Sequence, residues 1–387
     1  MRRSARLKVL GVVTYALFMD YLIYGLIVPL MPYSPAGAIS EQNISLLYGC
    51  YAVGVLAATP VFGLLGERIG YRKTMVLGAL LSAVAVLLFL LAPGLAWLLL
   101  ARCCQGAAAA ATWTIGLALI AEHYTEHRVR KMGYALAGGT AGSLVGPILG
   151  GSFYELGGYA LPFTATGVLV IADLLLRIFA LPPDRLSTQG SADLPALLLD
   201  KSVLLPAIAI ALAAFGWGIV EPLIPAQLER AGTSAATIGV LFSLGTLAYG
   251  LSAPLVGWAS ENLPVRWVIV GGVIGMAICL PVLGQVTGVV PVGVGLCALS
   301  VAFAFALNPT SAELGNAVDR RGLSCYAAVY AVYNIAYSIG MIATNSLAIA
   351  AAAWLSLGQI LMGAGVALLL CVPLLLLQDR AAKPENI

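Results

Sequence analysis

Two carboxylates interrupt long apolar runs in this sequence. Asp20 follows Leu17-Phe18-Met19, and Glu221 follows Gly218-Ile219-Val220. An ionised acid in such surroundings is costly unless it is protonated, paired or holding a cation. As a helix, the first run places Asp20 about 12 residues, or ~18 Å, from its start; Glu221 falls nearer the far end of its run. Acids that face one cleft suit a site where protons and a cationic molecule compete. The plainer alternative is that nearby tyrosines hydrogen-bond each acid. Tyr326, Tyr330, Tyr333 and Tyr337 recur at spacings of four, three and four, one helical stripe. With Tyr24, Tyr48 and Tyr51 they would line a cleft with aromatic faces, which hold organic cations. Asn308 and Asn334 would add neutral polar contacts. Asp173 and Arg177, four apart, read as a structural pair along one helix.

The elements that must position these residues are membrane helices. Of 387 residues, 61% are apolar and 10% charged, against about 25% charged in soluble domains. Apolar runs of roughly 20 residues recur, long enough to cross ~30 Å of hydrocarbon. Strict polar–apolar alternation is absent, which excludes a barrel and leaves helices. The runs predict an all-α membrane protein of about 12 transmembrane helices, at 9–31, 45–66, 74–93, 96–120, 133–153, 160–181, 203–226, 236–258, 267–286, 289–316, 324–349 and 355–377. Loops on the side of the N-terminus carry 17 of the 20 lysines and arginines. Opposite loops hold Arg230 alone, and Arg102 and Arg177 lie inside spans. The positive-inside rule then places both termini in the cytoplasm of a bacterial inner membrane. The first run is too long for a signal peptide and contains Asp20, so it reads as the first span. The seven cysteines all fall in spans without metal-site spacing and read as packing residues.

The chain repeats itself. Gly25-Leu26-Ile27-Val28-Pro29-Leu30-Met31-Pro32 resembles Gly218-Ile219-Val220-Glu221-Pro222-Leu223-Ile224-Pro225, an offset of 218 − 25 = 193. Pro60, Gly63, Glu67, Arg72 and Gly78 recur as Pro254, Gly257, Glu261, Arg266 and Gly272, an offset of 254 − 60 = 194. Two six-helix bundles are therefore expected, 1–181 and 203–387, joined by a polar linker at 182–202. Parallel halves of this kind form transporters with the substrate site between them near midplane.

Three motifs carry a family resemblance. Gly63-Leu64-Leu65-Gly66-Glu67-Arg68-Ile69-Gly70-Tyr71-Arg72-Lys73 resembles the loop motif of the major facilitator superfamily, with Glu67 and Gly66 where Asp and Ala are usual. Its glycines would permit a tight turn, and its acid and arginines would pair across helix ends. Arg102-Cys103-Cys104-Gln105-Gly106 resembles the fourth-span arginine motif of proton-linked exporters; an arginine at that depth faces the protein interior. Gly142, Gly146, Pro147 and Gly150, with Gly138 in the same four-residue rhythm, resemble the antiporter motif of drug/proton exporters. On their own these glycines read as a close helix contact. Phe18-Met19-Asp20, Ile27-Val28-Pro29, Glu221-Pro222, Val318-Asp319-Arg320 and Val329-Tyr330-Ala331 are similar to the vesicular amine transporter family and its bacterial relatives. The resemblance implies the major facilitator fold with pseudo-symmetric halves and proton-coupled export of a hydrophobic cationic drug or amine. It makes Asp20 and Glu221 the acids that meet cation or proton, and Tyr249 a cavity tyrosine. The proton gradient would be the driving force, with no cofactor and no metal. The partners would be substrate, protons and the bilayer, with no nucleic acid, and the protein would act as a monomer.

Departures from the family pattern matter as well. The family's span-two lysine is replaced by Tyr51, and its acids in spans ten and eleven by Leu307, beside Asn308, and Asn334. Lacking that lysine, Asp20 either holds a proton or waits for a cation. The loss of three ionisable groups keeps a second reading open, export of a polar or zwitterionic metabolite such as a metal-chelating compound. An intramembrane enzyme is the alternative of a different class. His123-Tyr124-Thr125-Glu126-His127 fits the H-x-x-E-H pattern of inverzincin metalloproteases, but no soluble domain encloses it, and it reads as a chance match. Glu313 and Asp319, near the end of span ten, are given no transport role.

Overall fold

The computed structural model describes residues 3–34, 40–124, 128–183, 201–320 and 326–377. Most of the expected linker (184–200) lies outside these residues, as do Glu126 and His127 of the H-x-x-E-H match and Cys325; the side chains of Asp319, Arg320, Tyr326 and Val329 lie outside them too.

The chain folds into helices α1 (Arg3–Ile27), α2 (Glu41–Ile69), α3 (Tyr71–Leu91), α4 (Leu95–His123), α5 (Arg128–Gly157) and α6 (Ala160–Ala180), then α7a (Lys201–Gly218), α7b (Val220–Arg230), α8 (Ala235–Asn262), α9 (Val265–Leu283), α10 (Val289–Arg320), α11 (Tyr326–Ala351) and α12 (Leu357–Leu377). With α7a and α7b taken as one span, every expected span is occupied by a helix. Eleven helices among the described residues are long and apolar enough to cross a membrane. The twelfth, α5, falls short because glycines at 133, 138, 139, 142, 146, 150, 151 and 157 dilute its apolar content.

The packing repeats with the sequence. In the first half α1 packs on α5, α2 on α4, and α3 on α4 and α6. In the second half α7a packs on α11, α8 on α10, and α9 on α10 and α12. Adding six to each number turns the first set into the second. Between the halves α5 meets α8 and α2 meets α11, two contacts that the same operation exchanges. The helix starts are duplicated as well. Ser40 caps α2 by accepting from the Asn43 N–H, and Ser234 caps α8 by accepting from the Thr237 N–H, an offset of 234 − 40 = 194.

Two local details set the geometry of the site. Pro222 has no N–H for the carbonyl of Gly218, so span seven breaks between α7a and α7b and Glu221 falls in the first turn of the second piece. In the first half, the chain after α1 passes Pro29 into a short 3₁₀ turn at Met31–Tyr33. The expected loop at 63–73 is the larger correction. α2 stays helical to Ile69 and α3 begins at Tyr71, so Gly70 alone makes the turn, with φ 97°. Gly63 lies inside α2 rather than in a turn.

The stripe Gly138, Gly142, Gly146 and Gly150 lies against the backbone of Thr14, Phe18, Leu22 and Leu26 on α1. A Cβ at Gly146 would come within 2.6 Å of the Leu22 carbonyl oxygen. An adjacent face of α5 meets the other bundle, where Gly151 lies against Ala235 and Gly239 against Pro147. Small residues thus bring α5 close to α1 on one side and α8 on the other.

Candidate functional site

A cavity of about 1190 Å³ separates the two bundles. Its mouth lies at the face where α1 begins, between the ends of α5, α8 and α10 that carry Gly133, Gly257, Glu261 and Glu313. At the opposite face the bundles close. Arg230 pairs with Glu41 at 2.6 Å and the Ala236 N–H donates to Glu155 at 3.0 Å, while deeper in the seam Ser243 donates to the Leu144 carbonyl at 2.7 Å. The Tyr33 hydroxyl donates to the Thr233 carbonyl, also across the seam.

Asp20 and Glu221 both line this cavity, at different depths. By the internal repeat Glu221 corresponds to Val28, eight residues beyond Asp20, or ~12 Å further along a helix. Asp20 therefore stands in the middle of the cleft and Glu221 at its blind end. Glu221 is held on both oxygens, by Tyr24 on Oε2 and by Trp217 Nε1 on Oε1 at 2.9 Å. Asp20 differs. Its Oδ2 is buried with no hydrogen-bond partner, and Thr112 on α4 stands beside the carboxyl while its hydroxyl donates to the Ala108 carbonyl at 3.3 Å. Thr112 Oγ1 also accepts from Arg177 Nη1 at 3.1 Å, and Arg177 pairs with Asp173 at 2.6 Å. Both members of that pair are about 1–2% exposed. The expected pair along α6 is present, and it stands directly behind the hydroxyl that faces Asp20.

Aromatic rings make up much of the wall. Tyr24 packs on Tyr51 with centroids 4.8 Å apart, Trp113 stacks on Tyr333 at 5.5 Å, and Tyr333 stacks on Tyr337 at 6.2 Å. Trp217 and Tyr249 flank Phe303 at 5.3 and 5.6 Å. The Tyr249 hydroxyl donates to Asn308 Oδ1. Tyr51, Leu307, Asn308 and Asn334 line the cavity, so the three positions that depart from the family pattern are wall positions. Asn334 Nδ2 is buried without a partner.

Two tyrosines lie elsewhere. Tyr48 is fully buried behind Tyr24, under the guanidinium of Arg102, whose Cζ is 4.4 Å from the ring centre. It is not among the cavity's lining residues. Tyr330 also lies off the wall and donates to Met132 Sδ at 3.3 Å. The phenol stripe of α11 therefore faces the cleft through Tyr333 and Tyr337. Tyr21, Trp113, Trp217 and Phe303 are wall residues missed by the sequence reading. Trp217 was detectable, because it stands four residues before Glu221 on the same face.

The remaining motif residues are spread over the first bundle. Arg102 is fully buried, with Nη1 3.1 Å from Gln105 Oε1 and aromatic faces around it. Glu67 and Arg68 occupy the last turn of α2, and Arg72 donates to the Ile178 carbonyl on α6. His123 Nδ1 lies 2.9 Å from the Leu119 carbonyl of its own helix.

Comparison with known proteins gives the same architecture. The Major Facilitator Superfamily model matches residues 13–207 and 206–387. The synaptic vesicular amine transporter of Rattus norvegicus is 31% identical over 309 residues, covering 77% of this chain and 59% of that protein. A probable vesicular acetylcholine transporter of Danio rerio is 29% identical over 425 residues, covering 98% of this chain and 80% of that protein. The match thus spans about 59% of the length of the mammalian amine transporters. Among solved structures, a bacterial homologue of the human lysosomal transporter Spinster, in an inward-facing conformation, superposes with TM-score 0.77 at 15% identity over 98% of both chains.

Proposed function

Because this chain belongs to the major facilitator superfamily, a family of membrane transporters and not of enzymes, we propose that it is a proton-coupled exporter of a hydrophobic organic cation. The carrying observation is Asp20, a carboxyl on the cavity wall with one buried oxygen that has no partner. Tyr24 and Trp217 already satisfy Glu221, whereas the buried Oδ2 of Asp20 has no such partner, so an ionised Asp20 is left for a proton or a nearby cation to offset. A charge at this depth costs ~2.5–3.5 kcal/mol, so either a proton or a cargo cation removes the same penalty, and the two exclude each other. The rings of Tyr24, Tyr51, Trp113, Tyr333 and Tyr337 give an organic cation its second contact. In this reading the open mouth faces the cytoplasm, as the basic loops argue, and cargo loads from there. The printed names of the relatives, amine and acetylcholine transporters, fit a cationic cargo.

The neutral wall at Leu307, Asn308 and Asn334 favours one second reading, in which a polar or zwitterionic metabolite is carried and Asn334 Nδ2 meets its anionic group. Tetraphenylphosphonium binding to the purified protein separates the two. The cation reading predicts that binding releases protons and weakens on acidification, and that Asp20→Asn loses at least about tenfold in affinity, the scale of one charge-assisted contact. Binding that is the same at every pH and in Asp20→Asn contradicts it.

A further inference from the structure

Outside the central cleft, the chain carries a second cavity that the transport reading leaves unused. A groove of about 590 Å³ runs between α1 and α5 on the outer surface, near the face where α1 begins. Leu7, Leu10, Gly11, Tyr15, Phe18 and Tyr134 form its walls. Leu7 and Tyr134 are half exposed, 56% and 51%, so the groove opens outward to the surroundings of the bundle. Gly11 creates its depth. A Cβ there would meet nothing within 4 Å, so the glycine serves no helix contact and leaves a trench. Thr14 and Gly138, in contact with each other, form the floor.

One end of this apolar trench is cationic. The ammonium of Lys131 lies 5.2 Å from the ring centre of Tyr134 and 5.5 Å from that of Tyr124. Arg6 is exposed and directly precedes the wall residue Leu7, and Lys8 and Arg130 are exposed nearby in sequence. Among the described residues neither Arg6 nor Lys131 forms an ion pair, although Glu122 is exposed at the end of α4. An apolar channel at membrane depth, ending in unneutralised cations beside tyrosines at the boundary, matches one chemistry. That chemistry is an acyl chain ending in an anionic headgroup. We propose that the α1–α5 groove is a binding site for one anionic phospholipid, with an acyl chain over Gly11 and the phosphate between Arg6 and Lys131.

Native mass spectrometry of the full chain, exchanged into mixed micelles with phosphatidylglycerol or phosphatidylcholine of identical acyl chains, tests this. The wild type is expected to retain one phosphatidylglycerol in preference to phosphatidylcholine. Lys131→Gln should lower that preference about fivefold, the share of one basic residue at an anionic surface. Gly11→Phe fills the trench and should abolish retention of both lipids at this site while the melting temperature holds. Equal retention of the two lipids by the wild type, or unchanged preference in Lys131→Gln, overturns the proposal. If Gly11→Phe disturbs folding, the Lys131→Gln comparison decides alone.

Discussion

Asp20 and Glu221 are both acids in apolar helices, yet their surroundings divide the work. Glu221 is tied by Tyr24 and Trp217, so Tyr24→Phe or Trp217→Phe is expected to disturb Glu221 and lower transport while leaving Asp20 free to bind a cation; equilibrium binding measured beside transport in the same variant checks the split. The pair behind Asp20 gives a stability prediction. Removing one partner strands a buried charge, so Asp173→Ala should destabilise by about 3–5 kcal/mol, whereas Asp173→Leu combined with Arg177→Met should cost far less. Denaturation midpoints in detergent compare them. The sequence made both acids legible because nothing else charged stands near them in their runs. It misjudged Tyr48 because a residue type shows that a ring is present, not which way its helix is turned. Tyr48 and Tyr51 are three apart on α2, one behind the wall and one on it.

Helices were legible at nearly every span, since long apolar runs leave the backbone no other way to satisfy its hydrogen bonds in lipid. Their ends were less so. The motif at 63–73 looked like a loop because it is charged and glycine-rich, but α2 carries those charges out of the apolar region as helix. Gly70 is the residue the turn requires. Gly70→Ala should cost about 1–3 kcal/mol through its left-handed backbone, read as a fall in thermal stability. The stripe on α5 makes a contrasting pair. Gly142→Leu drives a side chain into the backbone of Phe18 and should destabilise strongly. At Gly63 an added Cβ meets nothing within 4 Å, so Gly63→Ala should leave stability within about 0.5 kcal/mol. Equal losses in the two variants would contradict the packing described between α1 and α5.

For the whole molecule, a symmetric frame carries an asymmetric site. The helix contacts repeat with a shift of six, yet Asp20 corresponds to Ala213 and Glu221 to Val28. Each acid has an apolar twin. Duplication is what the sequence revealed most directly, through two offsets one residue apart. Which face is open was not legible, because closure rests on contacts between bundles such as Glu41 with Arg230. Joining Glu41→Cys to Arg230→Cys, with the seven native cysteines replaced, should hold that face shut. Transport should stop on oxidation and return on reduction; full transport by the cross-linked protein contradicts rocking of the two halves. Proton movement in liposomes during tetraphenylphosphonium transport, with and without an imposed pH gradient, tests the exchange at Asp20. Uphill cation movement coupled to opposite proton flow is expected in the wild type, with loss of both in Asp20→Asn. Cation transport with no proton flow, or coupling that survives in Asp20→Asn, contradicts it.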